Sequence, residues 1–115
     1  MAFLNIAYSN HMDLIWRRPR YNAGVTDGYS IAPYGEIQER QIDAGLDFIR
    51  EGGKYDLEQT YILREYLDRN PDLFDEVAEM MRAGKFTVLG GGESVVDYNL
   101  SDSESIIRNH MYSRR

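Results

Sequence analysis

The sequence predicts an α/β fold in which about three short parallel strands alternate with flanking amphipathic helices. Three observations predict it. Brief apolar runs at residues 3–8, 54–58 and 85–89 have strand length, longer stretches between them carry apolar residues at helical spacing, and Gly or Pro marks most of the switches. Strand and helix in alternation favour a parallel sheet with right-handed crossovers.

The first run, Phe-Leu-Asn-Ile-Ala-Tyr at residues 3–8, is apolar, aromatic and bounded by Ser9-Asn10, which suits a buried strand. Residues 17–35 contain Pro19, Gly24, Gly28, Pro33 and Gly35 without a sustained period, so a long irregular excursion is expected there. From Glu36 the pattern turns helical. Ile42, Leu46 and Ile49 share a face, and Gly52-Gly53 stop the helix. A short second strand is expected at 54–58. Ile62, Leu63, Tyr66 and Leu67 form the next helical stripe, which has to end before Pro71 because a residue preceding proline is pushed out of the α region.

Asn70 as cap, Pro71 in the first helical position and Asp72 in the first turn announce a third helix. Its expected buried stripe is Leu73, Phe74, Val77, Ala78 and Met81, with Gly84 closing it. The β-branched and apolar run at 85–89 forms the third strand and leads into Gly90-Gly91-Gly92. A fourth helix starts near Ser101, where Ser101-x-x-Glu104 fits a capping box ahead of Ile106, Ile107 and Met111, with no stop signal before Arg115.

At 115 residues the chain has the size of one small domain, and 43% apolar residues with 12% aromatics can fill its core. It has no Cys, which excludes disulfides and thiolate metal sites and makes a reducing cytosol the expected, cytoplasmic, location. A net charge of −6, with basic clusters only at Arg17-Arg18-Pro19-Arg20 and Arg114-Arg115, argues against nucleic acid or an anionic membrane as partner. The N-terminal residues show neither the charged region nor the long apolar stretch of a signal peptide or membrane span. None of these features opposes a homo-oligomer.

In a parallel sheet, the residues immediately after the strands gather at one end, and ligands bind there. His11 and Asp13 come after the first strand and Asp97 after the third. Imidazole plus carboxylates is a suitable set of zinc ligands, although on pattern alone a lone His in a loop is more often a surface residue than a ligand. Gly90-Gly91-Gly92 lacks the Gly-Lys-Ser/Thr ending of a phosphate loop; the glycines are expected to let the backbone turn tightly beside the site. Glu58 is expected in the first turn of the second helix, favoured by its dipole, and His110 on an exposed helix face.

Three stretches together resemble the catalytic domain of glycoside hydrolase family 38 α-mannosidases. Asn10-His11-Met12-Asp13-Leu14-Ile15-Trp16 is similar to the family's His-x-His-x-Asp zinc motif with a Trp three residues later. Leu57-Glu58-Gln59-Thr60-Tyr61, Glu65-Tyr66-Leu67 and Asn70-Pro71-Asp72-Leu73-Phe74 resemble its Glu-Gln helix and the one after. Gly84-Lys85-Phe86-Thr87-Val88-Leu89-Gly90-Gly91, then Asp97-Tyr98-Asn99-Leu100 and Glu104-Ser105-Ile106-Ile107-Arg108, resemble its strand, Gly-Gly turn, nucleophile Asp and Glu-Ser-x-x-Arg helix. The matches keep their order and span nearly the whole chain.

The resemblance implies a partial parallel (β/α) barrel-like catalytic domain, of which residues 1–115 are the N-terminal part. It implies that His11, Asp13 and Asp97 bind Zn²⁺, that Asp97 is also the catalytic nucleophile, and that Trp16 packs beneath a sugar of a mannose-containing oligosaccharide. Ser9 stands where the family usually has its first His, and Glu93-Ser94 where relatives are often aromatic. The acid/base Asp and a further zinc His are expected beyond residue 115, so the rest of the parent chain is an expected partner and the isolated piece is expected to be inactive. Two other classes fit the residues alone: a small non-catalytic α/β interaction module, and a metal-dependent deacetylase-like hydrolase.

Overall fold

The computed structural model describes residues 9–10, 24–26, 29–31, 33–96 and 99–114. Among these, β1 (Ser9–Asn10), β4 (Tyr55–Leu57) and β5 (Phe86–Val88) form a three-stranded sheet in the order β1-β4-β5. Both pairings are parallel, with Asn10 level with Leu57 and Leu57 level with Val88. The parallel α/β arrangement expected from the alternation is therefore present. The expected first strand at 3–8 lies outside the described residues.

A separate antiparallel pair, β2 (Gly24–Thr26) and β3 (Tyr29–Ile31), corrects the expectation of an irregular excursion at 17–35. The two residues between the strands are Asp27-Gly28, a pair whose tolerance of positive φ suits a tight hairpin.

Helix α1 (Tyr34–Arg50) buries Ile42, Leu46 and Ile49 as the stripe requires. It ends as Gly53 N–H reaches the Phe48 carbonyl (2.9 Å) and Gly52 N–H the Ile49 carbonyl (2.9 Å). Helix α2 (Thr60–Arg69) packs Ile62, Leu63 and Tyr66 against the same core, with Leu67 partly buried. The Tyr66 hydroxyl donates to Asp43 Oδ1 of α1 (2.5 Å); burial, then this carboxylate neighbour, pushes the phenol well above its ordinary pKa.

Asn70 does not cap the third helix through its side chain. Its amide donates back to the Tyr66 carbonyl (2.9 Å), and Pro71–Leu73 form a 3-10 turn before α3 (Phe74–Arg82). Gly84, at φ +63°, closes α3 as expected, with Gly84 N–H on Met81 (3.0 Å) and Lys85 N–H on Met80 (2.9 Å).

The expected stripe of α3 is only partly buried. Val77 is enclosed, whereas Phe74 and Met81 are 60% and 42% exposed. The 3-10 turn breaks the period at its start, and Phe74 and Met81 instead wall a cleft of about 890 Å³ beside Leu63, Leu67 and Val88. Arg50 joins α1 to α3 through paired hydrogen bonds to Glu76 (both 2.8 Å), which lower the Glu76 pKa.

Helix α4 (Ser103–Tyr112) is capped one residue later than expected. Asp102 accepts Ser105 N–H (2.9 Å) and Ser105 Oγ–H (2.8 Å), so the cap is Asp-x-x-Ser, and a charged acceptor at the positive helix end prevails over Ser101. These bonds, backbone first, hold the Asp102 carboxyl below its ordinary pKa. A depressed native pKa adds stability above the unfolded carboxylate range near about 4, lost as pH falls through the native value. Asp102→Ala is expected to lower helical circular dichroism at neutral pH and to flatten its decline below about pH 4. A variant matching the wild-type titration would mean that Asp102 does not cap the helix.

Ile107 and Met111 of α4 are 60% and 61% exposed, and Ile106 is only half-buried. The helix is held instead by polar contacts to the loop after β5. It also ends within the chain, at Tyr112, where Ser113 turns its hydroxyl onto the His110 and Gly91 carbonyls.

Candidate functional site

The carboxyl ends of β1, β4 and β5 lie on one rim because the strands are parallel and in register. At this rim a cleft of about 340 Å³ is lined by Glu58, Leu89, residues of the 90–96 loop, Asn109 and His110. Among the described residues, β4 delivers Glu58 to the rim directly after Leu57, and β5 delivers the glycine loop directly after Leu89.

The loop starts as the sequence suggests, with Gly90 and Gly91 at φ +72° and +62°. Two helices then hold it. From α2, Thr60 N–H donates to the Gly92 carbonyl (3.2 Å) and Tyr61 N–H to the Glu93 carbonyl (3.0 Å), so the loop supplies acceptors for the helix's otherwise unsatisfied first amides. The Thr60 hydroxyl adds bonds to the Gly92 carbonyl (3.0 Å) and Glu93 Oε2 (3.1 Å). Arg64 takes both Glu93 carboxylate oxygens, and that hydrogen bonding raises the arginine's pKa. Glu93 is thus a tie between loop and α2. A carboxylate so engaged is a poor nucleophile, because its lone pairs already serve cationic and hydroxyl donors.

From α4, Asn109 pairs with Ser94: Ser94 N–H donates to Asn109 Oδ1 (2.9 Å), and Asn109 Nδ2 donates to the Ser94 carbonyl (2.9 Å). The main-chain carbonyl of Asn109 accepts Glu93 N–H (3.1 Å). A Cβ at Gly92 would lie 2.7 Å from Asn109 Nδ2, so loop and amide approach as closely as only glycine permits. His110 is next on the same helix turn, with Nδ1 3.3 Å from the Gly91 carbonyl. A carbonyl only accepts, so Nδ1 carries the hydrogen.

Two expectations change here. Glu58 lies before the cap residue of α2, half-buried and lining the cleft, because the helix starts only at Thr60. His110 is half-buried at the cleft and not on an exposed face, because α4 turns it toward the glycine loop. Asn109 carried no sequence signal, since its partner lies fifteen residues away.

The residues expected to bind zinc and sugar, His11, Asp13, Trp16 and Asp97, lie outside the described residues. Their chain neighbours do not: Asn10 ends β1 at the rim, and Val96, immediately before Asp97, lines the cleft. Among the described residues no group of three or more His, Asp or Glu side chains could hold a metal ion. Compared with models of protein families, with curated proteins and with solved structures, the chain matches none. Among the described residues no helix is long and apolar enough to cross a membrane.

Proposed function

We propose that the chain is the N-terminal part of the (β/α) barrel-like catalytic domain of a zinc-dependent retaining α-mannosidase acting on mannose-containing oligosaccharides. One observation carries the reading. Strand β1 ends at Asn10, the residue before His11, and the loop after β5 reaches the cleft at Val96, the residue before Asp97; the ends of these parallel strands share one rim. A shared rim supports the reading, because α/β folds bind ligands at the carboxyl ends of parallel strands.

In this reading a carboxylate oxygen of Asp97 bonds to the anomeric carbon as the glycosidic bond breaks. A carboxylic acid from beyond these residues gives its proton to the departing oxygen. The same group then takes a proton from water, which attacks the anomeric carbon and frees Asp97, so configuration is retained. His11 and Asp13, with Asp97, would hold the zinc, which supplies electrostatic and orienting contacts to sugar hydroxyls. Trp16 offers an apolar ring face beneath the sugar.

The test is product analysis of the full-length enzyme on an α-mannoside by NMR. Mannose released first as the α anomer is expected; acetate released from an acetylated sugar would favour the deacetylase class, and no turnover with no bound zinc would favour a non-catalytic module. Asp13→Ala is expected to lower zinc content and activity together, since a methyl group cannot ligate. Unchanged zinc by elemental analysis would remove Asp13 from the site.

A further inference from the structure

We propose that Glu58 and His110 make the rim cleft a binding site for an uncharged, hydroxyl-rich ligand, which they hold by its hydroxyl hydrogens. That the natural ligand is a mannoside rests on the mannosidase reading; the class of ligand follows from the cleft itself.

Both side chains line the same cleft of about 340 Å³, and both are half-buried there. Glu58 is the first residue after β4 and stands before α2 begins at Thr60, so the end of the sheet sets its position. His110 comes from the last turn of α4. Its Nδ1–H donates to the Gly91 carbonyl (3.3 Å), which orients the ring and makes Nε2 an acceptor in the neutral imidazole. Ser94 and Asn109 also line the cleft, but their side chains are spent on each other. The side-chain acceptors facing a ligand are therefore the Glu58 carboxylate, with about four acceptor positions, and the His110 imidazole.

This lining selects among ligands. No Lys or Arg is among the described residues of the cleft, and a carboxylate repels a phosphate or carboxylate group. Hydroxyl groups donate to both acceptors. Leu89, Val95 and Val96 offer apolar surface to the C–H faces that a sugar ring carries between its hydroxyls. The volume lies at the low end of the roughly 300–1,000 Å³ of small-molecule pockets, which suits one small ring.

The test is isothermal titration calorimetry of the full-length protein with methyl α-D-mannopyranoside, inorganic phosphate and methylammonium. The wild type is expected to bind the mannoside more tightly than either ion. Glu58→Gln, which keeps the size but replaces a charged acceptor by an amide, is expected to raise the mannoside Kd about tenfold or more, and His110→Phe about threefold to tenfold. Zinc content by elemental analysis and thermal unfolding by circular dichroism are expected to stay at wild-type values; should one variant not fold, the other carries the comparison. An unchanged Kd in a folded variant would remove that residue from the site and leave the mannosidase reading standing. Mannoside binding lost in step with zinc would overturn a direct contact, and tighter binding of phosphate or methylammonium would overturn the ligand class. A wild type that binds no mannoside would overturn the proposal, and release of mannose by the same protein decides whether the mannosidase reading falls with it.

Discussion

Replacing Phe86 by Ala is expected to destabilise the fold by about 3–5 kcal/mol, the usual cost of truncating a fully buried aromatic side chain. Phe86 is 1% exposed at the start of β5, its ring tilted at 51° against Tyr55 with centroids 5.6 Å apart. It belongs to one cluster with Leu46, Leu57, Tyr66 and Val77, so it joins the sheet to α1, α2 and α3. Against a total of about 5–15 kcal/mol for a domain, such a loss is a large fraction. The thermal midpoint should fall by roughly 10 °C or more. Thr87, exposed on the same strand, provides the control: Thr87→Ala should stay within about 0.5 kcal/mol of wild type. Equal shifts for both would mean that β5 is not packed as described. Because the 90–96 loop departs from the end of β5, the Phe86 variant should lose rim structure along with stability.

Under the proposed mannosidase reading, replacing Asp97 by Asn in the full-length protein is expected to abolish turnover, by at least about 10³-fold, because an amide oxygen does not form the covalent bond on which retention would depend. The substitution conserves size and retains an oxygen on the side chain, so the effect should exceed that of weakened metal binding. Zinc stoichiometry measured alongside kcat separates the two. Activity lost in proportion to zinc, and restored by excess metal, would assign Asp97 a ligand role only. Activity lost with zinc retained agrees with a nucleophile. Glu93 and Asp102, the acidic residues nearest in sequence on either side, are otherwise engaged: one is held by Arg64 and Thr60, the other caps α4.

The helices were legible because their signals are local. Gly52-Gly53 and Gly84 stop α1 and α3 where the spacing says, and Ile42, Leu46 and Ile49 are buried as a stripe. The parallel order was legible from alternation alone. The β2 and β3 hairpin was not, since its Asp27-Gly28 signal stands among prolines and glycines that read as loop. The α3 stripe misled for a different reason: periodicity identifies an apolar face but not whether anything covers it, and Phe74 and Met81 remain exposed. At the rim, sequence adjacency brought the glycine loop and Glu58 to the strand ends, while Asn109 and His110 entered through helix packing that no local pattern encodes.

The central claim is that Asp97, reached from β5 through the glycine loop, attacks an anomeric carbon. Its most direct test is peptide mass spectrometry of the full-length enzyme after incubation with a fluorinated mannosyl inactivator, in which the fluorine slows breakdown of the covalent intermediate. One mannosyl adduct is expected on the peptide containing Asp97, absent from Asp97→Asn. An adduct on Glu93, Asp102 or any other residue, or hydrolysis that proceeds without an adduct and inverts the anomeric configuration, would contradict it.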